Sequence, residues 1–116
     1  MGKFQNLIVC QRAKDLAVKI YKLTREKGIS KDFGFKDQIQ RAAVSIPSNI
    51  AEGDELGSDK QSVRYFYIAK GSVAELLTQL IIANEIGYVS IDIIDPLINE
   101  CKIISTMLTK IIKARS

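Results

Sequence analysis

Residues 41–53 read RAAVSIPSNIAEG. Ala42, Ala43, Ser45, Ser48 and Ala51 are the small residues of a helix face that lets another helix come close, yet Pro47 interrupts the run. Arg41, Asn49 and Glu52 add strongly polar groups. Projected at about 100° per residue, Ile39, Ala43, Ile46 and Ile50 form one seam at alternating four- and three-residue steps, the pattern of a bundle helix. A polar strip of Gln38, Arg41, Ser45, Asn49 and Glu52 runs beside it. Polar groups so near a seam need partners. Pro47 cannot donate to the carbonyl of Ala43 and its ring crowds that carbonyl, so a kink is expected there. Gly53, just past the last periodic residue, fits a helix-terminating glycine.

Three further segments share the helical period. From Leu7 to Lys27, Val9, Ala13, Leu16, Ala17, Ile20 and Leu23 fall on one side and Arg12, Asp15, Lys19, Lys22 and Glu26 on the other, with Gly28 as the expected stop. Ser58 and Gln61 match a capping box for a helix running to about Ile86 and stopped by Gly87. Its apolar arc exceeds half the circumference, more than an outer helix of a monomeric bundle needs, so either this helix is central or a partner chain covers its outer side. Lys70 lies inside that arc, with a stem long enough to carry its ammonium outward. A last helix, capped by Ser90, Asp92 or Asp95 and with Pro96 near its first turn, reaches about Ala114 through Leu97, Cys101, Ile104, Leu108 and Ile111. Links near Ser30–Gly34 and Asp54–Gly57 read as short loops. The expectation is all-α: one domain, residues 1–116, folded as an antiparallel up-down-up-down four-helix bundle whose second helix is kinked at Pro47.

Composition narrows the chemistry. The chain has no histidine, which removes His-based triads, proton shuttles and metal sites. The seven glycines are scattered, so no phosphate-binding loop forms. Cys10 and Cys101 stand far apart in apolar segments and read as buried free thiols, a disulfide between them being the lesser reading. No cofactor, metal or membrane span is expected, and the reading is of a cytoplasmic, non-enzymatic protein. Arg41, Asn49, Glu52, Glu75 and Gln79 are expected to form a structural polar cluster between the second and third helices, Arg41 meeting Glu75 or Glu52. A catalytic carboxylate pair is the weaker alternative.

The net charge is +4 and unevenly spread. Residues 1–31 hold eight Lys/Arg, among them Lys3, against only Asp15 and Glu26. Such asymmetry suits an anionic partner, although a solvated helix face explains it too.

RAAVSIPSNIAEG (41–53), SDKQSVRYFYIAKGSVAELLTQL (58–80) and GYVS (87–90) resemble the bacterial four-helix-bundle proteins related to the protein encoded in intervening sequences of large-subunit ribosomal RNA genes. The resemblance implies an antiparallel bundle, a ring-like homopentamer and no enzymatic activity. Through a similar accessory protein of diversity-generating retroelements, it also implies contact with RNA or DNA by a basic surface, and a reverse transcriptase as a protein partner. Cys10 stands where that family's opening carries a tryptophan. The DELGSDK loop is more acidic than the family's arginine-bearing version. A nucleic-acid surface is therefore expected on Arg12, Lys19, Lys22 and Arg25, with a protein–protein adaptor as the alternative.

Overall fold

The period-3.6 segments become four long helices whose ends differ by a few residues from the expected limits, the first ending at Leu23 rather than Lys27. The computed structural model describes residues 4–56 and 58–116, so Lys3 and Gly57 lie outside it. Among the described residues there are five helices and no strand: α1 (Phe4–Leu23), α2 (Lys27–Lys31), α3 (Phe33–Glu55), α4 (Asp59–Glu85) and α5 (Ile91–Arg115). The protein is all-α. α3 packs on α1 and α4, α4 on α5, and α5 back on α1, while α2 touches α3. The long axis measures 44 Å, close to the roughly 40 Å of a 27-residue helix at ~1.5 Å per residue, so α4 spans nearly the whole molecule.

The core is the sum of the apolar stripes. Leu16 and Ile20 from α1, Ile39, Ile46 and Ile50 from α3, Phe66, Leu76 and Leu80 from α4, and Ile104 and Leu108 from α5 are all fully enclosed. Each contributes roughly 1.5–3 kcal/mol over leaving it in water, opposed by chain entropy. By length and composition α4 could cross a membrane, its most apolar window having a mean hydropathy of 1.3. Here its stripe from Phe66 to Ala83 is core.

The ends follow local chemistry with three corrections. Ser58 caps α4 by accepting from the Gln61 N–H at 3.3 Å, and Gly87 takes a left-handed φ of 82°, both as expected. The link after α1 is not a plain loop. The Glu26 N–H bonds the Leu23 carbonyl, closing a turn, and α2 follows with Ile29 buried beneath it. Gly28 lies inside α2 rather than stopping α1; a Cβ there would come within 2.6 Å of the Tyr88 ring. Gly53 likewise does not end its helix, because α3 continues to Glu55. A Cβ at Gly53 would sit 2.8 Å from the Phe66 ring and 3.1 Å from the Ser62 carbonyl, so the glycine lets α4 approach. At the last helix, Ser90 rather than Asp92 or Asp95 is the N-cap residue, and Pro96 lies inside α5.

Candidate functional site

Two groups of side chains, one cationic and one polar, were expected to carry function or specificity. Arg12, Lys19 and Lys22 are on α1, and Arg25 is in the turn that follows. Arg12 is partly exposed and already paired. Its guanidinium forks onto Glu100 of α5, Nη2–Oε1 at 2.8 Å and Nε–Oε2 at 3.0 Å, a bidentate charge-assisted pair that ties the two helices. Lys19, Lys22 and Arg25 are exposed and make no ion pair among the described residues. Lys22 also sits in the last turn of α1, where a cation favours the helix dipole.

The structure divides the polar cluster into an inner ladder and an outer rim. Asn49 donates to the Ser45 carbonyl at 2.8 Å and to its Oγ at 3.0 Å. Ser45 and Ser72 bond Oγ to Oγ at 2.9 Å across α3 and α4, and Ser72 donates to the Ile68 carbonyl at 3.2 Å. Because the Ser72 proton is used on Ile68, Ser45 is the donor to Ser72, and each hydroxyl is satisfied. Gln79 is buried further along α4, with no hydrogen-bond partner for its Oε1 among the described residues.

The expected meeting of Arg41 with Glu75 or Glu52 does not occur. Arg41 is 79% exposed and pairs with Asp37, one turn back on α3, at 3.2 Å. Glu52 and Glu75 are also exposed. The reason is angular: Arg41 lies about 160° around α3 from Ile39, on the outer edge of the polar strip, where a long side chain reaches water. Arg41 and Glu75 do line one shallow open groove of about 560 Å³ with Tyr21, Asp37 and Ser45, without an ion pair between them.

The acidic loop has a local explanation. The side chain of Arg115 at the end of α5 is only 7% exposed. It reaches Asp54 at 3.8 Å and Asp59 at 3.9 Å, with its guanidinium 5.2 Å over the Phe66 ring. These carboxylates balance a buried arginine, a long-range pairing that a linear reading misses. The two cysteines are free thiols. Burial pushes the Cys101 thiol up to about 12, and burial followed by the Asp54 charge raises that of Cys10, so neither is an activated nucleophile. Among the described residues no group of His, Cys, Asp and Glu could hold a metal ion.

The model of the family described as 23S rRNA-intervening sequence protein matches residues 5–110. The chain belongs to that family. A solved structure from the S23 ribosomal protein family of Bacteroides thetaiotaomicron, described as a protein of unknown function, has a TM-score of 0.83 and 26% identity. It covers 90% of this chain and 98% of its own. No curated protein matches. In this member of the intervening-sequence family, the corner between α1 and α3 holds a residue that the sequence reading passed over. Phe33 is 75% exposed at the start of α3, with the Lys36 Nζ 6.0 Å from its ring centroid.

Proposed function

We propose that this protein is a non-enzymatic, oligomeric helical bundle that binds nucleic acid weakly and without sequence specificity, as part of a ribonucleoprotein. The observation that carries the reading is the set of uncompensated cations at Lys19, Lys22 and Arg25. Such cations neutralise phosphates, release counterions and carry no base information. Arg12 is left out of the surface because Glu100 holds it. The family's description, which refers to 23S ribosomal RNA, is consistent with an RNA setting.

The four long helices α1, α3, α4 and α5 are read as an antiparallel up-down-up-down bundle, bent in α3 at Pro47. Three pairs of contacts support the antiparallel direction, and the bend rests on the chemistry of Pro47 alone. Thr24 meets Gln40 and Cys10 meets Pro47; Ser62 meets Gly53 and Ser72 meets Ser45; Arg115 reaches Asp59 while Tyr88 reaches Asp32. Copies are read as assembling, five being the favoured number. Tyr67, Ile68, Ile81, Ile82 and Ile86 of α4 and its C-cap stay exposed after α3 and α5 have packed, a patch that a second copy would cover.

The test is binding of labelled RNA and DNA across a salt series, with light scattering for size. The reading expects several subunits, binding at low salt that falls steeply toward physiological salt, and a loss of binding in Lys19→Glu/Lys22→Glu. An absence of binding at low salt would favour the adaptor, in which the same basic face docks an acidic protein partner. A reverse transcriptase is the protein partner to try first.

A further inference from the structure

The geometry points to a base-stacking site for single-stranded nucleic acid at Phe33, set in the lysine-rich corner between α1 and α3. It rests on the nucleic-acid reading above and names the strand form and the contact residue. Between Tyr21 and Val44, Phe33 is the one large apolar side chain left exposed among the described residues. A phenylalanine with three-quarters of its surface in water adds little to the core. The neighbouring Phe35, by contrast, packs edge-on against Tyr88, with ring centroids 5.9 Å apart.

The surroundings of the ring select the partner. Lys22, Arg25, Lys27, Lys31 and Lys36 fall within residues 22–36, against Glu26 and Asp32. Lys27 and Lys31 are one turn apart on α2, on the side away from buried Ile29, so both ammonium groups face solvent. The Asp32 carboxylate is turned to the Tyr88 hydroxyl at 2.7 Å and to the Phe35 N–H at 3.1 Å rather than to any of these cations. The Lys36 ammonium lies 6.0 Å over one face of the ring, and the other face, in a stretch whose remaining cations make no ion pair among the described residues, fits a strand that offers phosphates and unstacked bases together. A duplex hides its base faces. A lipid surface offers negative charge, but one ring gives little to insert into it.

The chain contains no tryptophan, so Phe33→Trp supplies a single fluorescent reporter on the full-length protein. Labelled oligo(dT), a duplex of equal length and anionic phosphatidylserine vesicles are the probes. The inference expects oligo(dT) to quench the indole emission of the Phe33→Trp variant and the duplex to quench it much less. Phe33→Ala should weaken oligo(dT) binding by about fivefold or more, without changing its salt slope, since no charge is removed. Lys31→Gln/Lys36→Gln should reduce that slope. Melting curves of Phe33→Ala and Phe33→Trp matching the parent exclude misfolding. If the parent binds oligo(dT) and Phe33→Ala binds equally well, the stacking site is wrong while the electrostatic reading stands. If the parent binds no nucleic acid at low salt, both fall. Emission that responds to vesicles and not to oligo(dT) overturns the inference in favour of a lipid surface.

Discussion

The α3–α4 seam and the corner formed by residues 22–36 are built from opposite materials. The seam uses Ala42, Ala43, Ser45, Gly53, Ser62 and Ser72, residues too small to keep two helices apart. Its polar groups are consumed internally: Ser62 donates to the Gly53 carbonyl at 2.7 Å, and Ser45 is linked to Ser72. The corner uses long cations and an exposed aromatic ring, none of which the core requires. The contrast indicates where function can reside. A side chain whose hydrogen bonds and surface are already spent on a neighbouring helix has nothing left to offer a ligand, whereas the corner retains charge and apolar area. RAAVSIPSNIAEG, the most distinctive stretch of the chain, is on these grounds mainly architecture.

Breaking the seam should have the largest effect. Gly53→Val places branched carbon where even a Cβ would be 2.8 Å from Phe66 and 3.1 Å from backbone. Overpacking of this kind costs about 1–3 kcal/mol, and the backbone contact at Ser62 leaves little room to relax, so the upper part of that range is expected. Urea unfolding measures it. A loss below about 0.5 kcal/mol would mean that α3 and α4 can separate easily, and the seam would no longer be the rigid half of the contrast.

A smaller effect is expected where the corner is fastened to the α4–α5 turn. The Tyr88 hydroxyl, then the Phe35 N–H, hold the Asp32 carboxyl below its usual range. The hydrogen bond to Asp32 in turn raises the Tyr88 phenol. A depressed carboxyl stabilises the fold above the ordinary aspartate value of about 3.9, and that contribution is lost as pH falls through the lower folded value. Asp32→Asn keeps an N-cap but removes the titration. The gap in melting temperature between parent and Asp32→Asn should therefore be open at pH 6 and narrow on acidification below about pH 4. A gap that stays constant with pH would show that the carboxylate does not fasten the corner.

What the sequence disclosed depended on the range of the interaction. The burial of Ile39, Ala43, Ile46 and Ile50 follows from spacing within one helix, and so do the Ser58 cap and the left-handed Gly87. α2 was hidden because five residues are too few to show a period. A terminating glycine and a close-contact glycine look alike in sequence, and only the Phe66 ring from another helix distinguishes the role of Gly53. The ion pairs of Arg12 with Glu100 and of Arg115 with Asp54 and Asp59 join distant segments, and no local pattern announces them. Phe33 did leave a trace: it projects about 120° from Ile39, off the seam, an unusual place for a phenylalanine with no helix to cover it.

The rim of the expected cluster gives the smallest effect and the cleanest discrimination. Were Glu75 the partner of a buried Arg41, Glu75→Ala would strand a charge and cost about 1–3 kcal/mol. With Glu75 exposed and Arg41 already paired to Asp37, the loss should stay within about 0.5 kcal/mol. The Asp37–Arg41 pair is itself a surface contact of about 0.3–0.5 kcal/mol. Glu75→Ala should also leave oligonucleotide binding unchanged or slightly stronger, since it removes one negative charge from a basic protein. A marked loss of stability would mean that Arg41 swings from Asp37 to Glu75 in solution, extending the rigid seam to include the groove beside Tyr21. A marked loss of binding instead would move the functional surface from the corner to that groove.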